Sequence, residues 1–274
     1  MLASALSFTV EASLVKTLGG HYPAVVILFW RQAVCVVLLA PLIARDWRGA
    51  LGTTRPVMMA ARSIVGVAGI LLAVIAYTRL PLADANALSF TRVLWMTLFA
   101  ALVLREALGA ARVLATAVGF VGILIMLQPG GQGLALGWGH AAGLGAALLT
   151  AVTILSVKVM ARDHSVLTLT VYAGLLGLVF SAPFATAAWV SPQSAHLPAL
   201  MGVGVFGLLT LWCYTRGMQM GSASVMAPID YSRLVFAALA GLLVFGEGLT
   251  ATTIMGAAII VGATLYLTLR RRVV

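Results

Sequence analysis

The heptapeptide SFTRVLW (Ser89–Trp95) recurs as DYSRLVF (Asp230–Phe236), 141 residues further along a chain of 274. Each copy sets an arginine in an apolar run, Arg92 in the first and Arg233 in the second. In the same register REAL (Arg105–Leu108) falls on GEGL (Gly246–Leu249), so Glu106 meets Glu247. A shift of 142 lays SLVKTLGGHYP (Ser13–Pro23) over LSVKVMARDHS (Leu155–Ser165), Trp30 over Tyr172 and Pro41 over Pro183. A shift of 137 lays the YTR at 77–79 over a second YTR at 214–216. Several matches in one order, at shifts that differ as loop insertions allow, indicate an internal duplication.

The surrounding composition says where such repeats sit. The chain is 62% hydrophobic and 9% charged, against about 25% charged in a soluble domain. Its apolar residues come in blocks of about 20, the length that crosses a bilayer as a helix. Spans are expected at 2–18, 24–44, 56–78, 83–104, 110–128, 138–158, 166–187, 198–216, 224–245 and 250–269. The runs are too long, and lack the alternation, for a membrane barrel. The fold class is therefore all-α and polytopic, with ten transmembrane helices. Cys35 and Cys213 both fall inside spans, where small buried hydrophobes are expected rather than a disulfide or a metal site. The N-terminus has no basic segment and Glu11 interrupts its apolar run, so a cleaved signal peptide is not expected.

The formal net charge of +10 is distributed unevenly. Arg45, Arg48, Arg55, Arg105, Arg112, Lys158, Arg162, Arg216 and Arg270 to Arg272 gather at one set of span ends, and Lys16 and Arg79 at the other. Such a bias is the positive-inside signal, which places both termini in the cytoplasm of a cell-membrane protein. Nucleic acid is not expected as a partner. Five helices per half is an odd number, so residues 1–130 and 131–274 form two five-helix repeats inverted with respect to each other. Inverted repeats mark secondary transporters, with the substrate near the midplane at the repeat interface.

Each half resembles the five-helix repeat of the drug/metabolite transporter superfamily, in its EamA-type ten-helix branch. The residues that carry the likeness are LFAALVLREALGAARVLATAVGFVGILIML (Leu98–Leu127), LAGLLVFGEGLTATTIMGAAIIVGATLYL (Leu239–Leu267) and FWRQAVCVVLLAPL (Phe29–Leu42). The resemblance implies alternating access, cytoplasmic termini and export or exchange of small metabolites, amino acids among them.

Ionisable residues inside spans narrow the site. An Arg or Asp at a helix centre costs about 2.5–3.5 kcal/mol on insertion scales, so each needs a partner or a wet cavity. Glu11 and Arg31 lie at similar depth on the first hairpin, and their repeat equivalents, Thr153 and Ala173, are both uncharged. An ion pair explains that joint loss, with a cavity role for Glu11 as the alternative. Arg62 lies one to two turns inside its helix and is expected to snorkel to the interface. Asp230 and Arg233 are spaced i, i+3 and can pair along a helix face. Ser89 replaces that Asp in the first repeat, which assigns the surplus positive charge to Arg92. A guanidinium fork suits a carboxylate, so Arg92 is the candidate ligand for a carboxylate-bearing solute; the structural alternative is that both arginines bridge to backbone carbonyls. Trp95 and Tyr231 are candidate pocket walls. Trp47, Trp138 and Trp189, with Tyr77 and Tyr214, read as boundary residues.

No HExxH, phosphate-binding loop or Ser/His/Asp set is present, so no enzymatic activity and no cofactor are expected; PGGQG (Pro129–Gly133) reads as a turn. The substrate-site candidates are thus Arg92, Trp95, Ser89, Asp230, Tyr231, Arg233 and Glu11, in an exporter or facilitator of small metabolites, amino acids first. An organic-cation exporter would use Glu11 or Asp230 instead. An exchanger of phosphorylated or nucleotide-linked solutes would use the arginines as phosphate clamps.

Overall fold

A computed structural model describes residues 2–92, 94–96, 98–99, 110–126, 137–160, 163–220, 232–248 and 250–270. The regular structure among these residues is helical, with no strand. In chain order the α-helices are α1 (Leu2–Leu18), α2 (Ala24–Arg45), α3 (Trp47–Leu51), α4 (Pro56–Arg79), α5 (Leu82–Phe90) and α6 (Ala110–Met126). Then follow α7 (Trp138–Met160), α8 (Val166–Ala187), α9 (Leu197–Met220), α10 (Ser232–Phe245) and α11 (Ala251–Arg270). Where a span end falls among the described residues it agrees with the sequence-based one to within a few residues, the fourth span excepted, because Pro, Gly and polar residues cluster where the apolar runs stop; the expected ends at 104 and 224 lie outside the described residues. Pro23 and Pro81 precede α2 and α5, and Pro56 opens α4, where a missing N–H costs nothing.

Five described stretches are long and apolar enough to cross a membrane: Ala24–Arg45, Pro56–Arg79, Trp138–Ser156, Leu167–Ala187 and Ser194–Cys213. Ser232–Phe245 and Ala251–Ala263 are shorter apolar helices. Large apolar side chains point outward, with Val57 82% and Leu243 78% exposed. A water-soluble protein would hide such a belt; lipid accepts it, and the chain is a multi-pass membrane protein. Trp47 and Trp138 are exposed at helix starts, in keeping with interfacial anchoring.

The helices pack in a defined set of pairs: α1 on α9 and α4 on α7; α2 on α9 and α4 on α8; α1 on α10 and α5 on α7; and α2 on α8, α6 on α11 and α5 on α10. Small residues permit the close contacts. A Cβ on Gly122 of α6 would come within 2.9 Å of Ile259 and 3.0 Å of the Gly256 carbonyl oxygen on α11.

Polar clamps close the two ends of the bundle. At one end, called the His196 face, the Tyr22 hydroxyl lies 3.1 Å from His196 Nδ1 and accepts from Gln193 N at 3.0 Å, while His21 stacks on His196. At the other, the His164 face, Thr54 N donates to His164 Nε2 at 3.3 Å, Thr53 Oγ1 lies 3.0 Å from the same nitrogen, and Arg55 pairs with Asp163 at 2.9 Å.

The fourth span departs from the single helix expected over 83–104. It ends as α5 at Phe90, Thr91 is a turn, and helical residues resume at Arg92. Its own polar side chains make the break. Ser89 Oγ donates to the Asn86 carbonyl at 2.7 Å and Thr91 Oγ1 to the Leu88 carbonyl at 2.7 Å, while Arg92 Nη1 donates to the Ser89 carbonyl at 3.2 Å. Side chains that bond nearby carbonyls compete with the helix ladder. In a membrane the carbonyls exposed by a break must find such partners.

Candidate functional site

The break in the fourth span gathers part of the predicted site. Arg92, half-buried, bonds the Ser89 carbonyl and its guanidinium carbon sits 5.1 Å from the Phe90 ring centre. Arg233, buried near the start of α10, donates from Nη2 to Ser4 Oγ at 3.4 Å and lies 4.4 Å over the Phe8 ring. Both cations thus rest on aromatic faces, an arrangement worth about 0.5–2 kcal/mol. Because α5 and α10 pack together, the two arginines enter the bundle from neighbouring elements. Asp230 and Tyr231 lie outside the described residues, as does Glu106.

Two other candidates go elsewhere. Trp95 stands edge-to-face on Phe120 of α6, with centroids 5.2 Å apart, so it packs toward the fifth span. Glu11 accepts from Arg31 Nε at 2.7 Å, the ion pair expected from their joint absence in the second repeat. Arg31 Nη1 also donates to Gln32 Oε1 at 3.2 Å, and Gln32 Nε2 reaches the Ala173 carbonyl at 3.4 Å. Gly207 of α9 presses on this pair: a Cβ there would meet Glu11 Oε1 at 2.9 Å and Arg31 at 3.0 Å. The structure therefore gives Glu11 a bridge between α1 and α2 beneath α9.

Two expectations need correction. Arg62 bonds the Leu169 carbonyl of α8 at 3.3 Å, so its charge is anchored to a neighbouring helix rather than to the interface alone. Tyr77 is no boundary residue. It is 6% exposed, stands edge-to-face on Phe8 at 5.8 Å, and sits beside Ser89 within electrostatic reach of Arg92 and Arg233. The signal was its place on a buried stripe of α4 through Ser63, Val67 and Val74, at the helical spacing of an inward face.

The sequence reading also passed over Asp84 and Asn86 on α5. Asp84, in the first turn where a carboxylate suits the helix dipole, lines a small cavity with Glu247, Thr250 and Thr253. That cavity of about 30 Å³ has room for one or two waters and none for a metabolite. Glu247 closes it: its carboxylate pairs with Lys16 and accepts from Leu82 N at 2.9 Å.

Comparison with known proteins agrees with this architecture. The EamA-like transporter family matches residues 1–128 and 137–269, and the chain belongs to that family. It is 26% identical over 268 residues to an S-adenosylmethionine uptake transporter of Rickettsia prowazekii, covering 97% of this chain and 90% of the relative. It is 30% identical to a riboflavin transporter of Vibrio cholerae, covering 98% and 91%. It is 28% identical to a pseudopaline exporter of Pseudomonas aeruginosa, covering 97% and 93%. None of the three names specifies a free amino acid as the solute.

Proposed function

We propose that this member of the EamA-like transporter family is a secondary transporter of small metabolites that carry a carboxylate, amino acids and their derivatives first. The observation that carries the reading is the pair Arg92 and Arg233, brought into the bundle from packed elements and each laid on a phenyl ring. Aromatic surface with a few directed polar groups is the makeup of a small-molecule site. S-adenosylmethionine, named for one relative, itself bears an α-amino carboxylate. Glu11 is committed to Arg31, which argues against organic-cation export through that carboxylate.

Ten spans in two inverted repeats, 1–130 and 131–274, complete the proposal. The helix pairing supports it. Exchanging each span with the one five places on turns the α1–α9 contact into α4–α7, α2–α9 into α4–α8, and α1–α10 into α5–α7. The two segments matched by the family support the same division. The concentration of basic residues on the His164 face supports a cytoplasmic placement of that face in the cell membrane. Solute then crosses by alternating access, one clamp opening while the other holds.

The test is counterflow in proteoliposomes with amino acids, S-adenosylmethionine and riboflavin. Exchange of at least one carboxylate-bearing solute is expected. If only solutes without a carboxylate exchange, the substrate class is wrong; if none exchanges, so is the transport reading.

A further inference from the structure

We propose that the His196 face is a pH-sensitive gate: the stacked rings of His21 and His196 hold it shut while they are uncharged, and proton binding to both releases it. The gate presupposes the alternating-access reading and adds a control to one end of it. His21 lies in the turn between α1 and α2 and His196 just before α9, so their contact joins segments that must part when this face opens. The rings lie 4.4 Å apart at 36°, His21 exposed and His196 half-buried, with the Tyr22 ring edge-on to His196 at 5.6 Å. Imidazole is the side chain that changes charge between pH 5 and 8, and the exposed ring gives protons access to the stack.

The stack has no counter-charge of its own. No Asp, Glu, Lys or Arg occurs in residues 17–30 or 187–215, the segments that carry the clamp. On the helices packed around it, Glu11 of α1 pairs with Arg31 of α2, and Lys16 of α1 with Glu247. Arg45 and Arg216 lie toward the far ends of α2 and α9, and α8 carries no charged residue. Arg79 ends α4, and Asp84 and His140 belong with Lys16 and Glu247 to the cluster at the start of α5. One proton on the stack is tolerable. A second sets like charges face to face with nothing to offset them, and solvent weakens that repulsion without removing it. Closure is therefore held at neutral pH and lost as the pH outside this face falls.

The equivalent clamp at the other end is built differently. The 142-residue register equates His21 with Asp163, and Asp163 pairs with Arg55 at 2.9 Å. A carboxylate and a guanidinium both stay charged across that pH range, and the carboxylate is the chain neighbour of His164. Of the two clamps, the one at the His196 face alone closes on a pair of imidazoles.

The test reads labelling of Ala87→Cys, a position 1% exposed, by an impermeant maleimide applied to the His196 face in proteoliposomes, in a background lacking Cys35 and Cys213. The interior is held at neutral pH and the outer pH is lowered from about 7.5 to about 5.5. Each rate is divided by that of the same cysteine in unfolded protein at the same pH, which removes the thiol's own titration. The ratio should rise by about 3- to 10-fold, the scale of like-charge repulsion at this separation near water. In His21→Gln and in His196→Gln, each left with one ring of the pair, it should stay within about twofold. His21 is exposed, so its replacement leaves the packing intact. A flat ratio in a parent that labels, or a full rise in either variant, would overturn the gate alone. A parent that labels at neither pH would overturn the alternating-access reading and the gate with it.

Discussion

Lys16 and Glu247 form an ion pair at the His196 face, joining the end of α1 to the turn after α10. The pair is part of a larger knot. Lys16 Nζ also donates to the Leu80 carbonyl at 2.6 Å, and Glu247 takes the otherwise orphaned N–H of Leu82 at the start of α5. Gly246, at φ +64, makes the sharp exit from α10 that brings the carboxylate back over Gly241; a side chain there would be strained. One carboxylate therefore ties together α1, α5 and α10.

Glu247→Gln keeps the shape and removes the charge. Closure of the His196 face should weaken by about 1–3 kcal/mol. The readout is an impermeant maleimide acting on Ala87→Cys, a position 1% exposed, in a background lacking Cys35 and Cys213. Labelling should speed up at least severalfold. An unchanged rate would remove Glu247 from the closure.

Arg92 carries one role that is observed and one that is proposed. It caps the broken fourth span at the Ser89 carbonyl, and it is proposed to meet the solute. Arg92→Ala should lower exchange of carboxylate-bearing solutes by about 10- to 100-fold, the worth of a charged hydrogen bond. Arg92→Lys, which keeps the charge and loses the fork, should fall between. Normal exchange by the Ala variant would leave Arg92 only the capping role.

How much of this was legible in the sequence depends on the kind of signal. The positions of the five long apolar stretches were, because apolar length and flanking Pro or Gly are local. The Glu11–Arg31 pair was too, because both charges vanish together in the second repeat. The break at Thr91 was not: Ser and Thr in a membrane helix give no sign of whether their hydroxyls bond the ladder or the next helix. Tyr77 was misread because its nearness to a helix end outweighed its place on the inward stripe. Trp95 reads as a pocket wall from the sequence, but a side chain's direction is settled by what packs there, and Phe120 does.

Glu11 and Arg31 allow a thermodynamic test. Removing one partner of a buried pair leaves an uncompensated charge, at about 3–5 kcal/mol, whereas replacing both is often nearly neutral. Glu11→Gln and Arg31→Met should each lower the melting temperature in detergent by several degrees, and the double variant should recover most of it. Gly207→Ala, which sets a methyl 2.9 Å from Glu11 Oε1, should destabilise as well. If the double variant is stable yet loses exchange, the pair has a transport role beyond its structural one.

Tyr22 and His164 provide the sharpest test of inversion. The 142-residue register equates Tyr22 with His164, and His196 with Thr54. The bonded pairs obey that register: Tyr22 meets His196 on one face, and His164 meets Thr54 on the other. Equivalent residues thus clamp opposite ends of the bundle. Tyr22→Phe removes the hydroxyl from the His196 face and should favour opening there. His164→Ala removes the acceptor from the His164 face and should favour opening at that end. With the Ala87→Cys reporter labelled from the His196 face, the first variant should label faster than the parent and the second slower. Shifts in the same direction would rule out reciprocal clamps, because loosening opposite gates of one alternating-access equilibrium must move it in opposite senses.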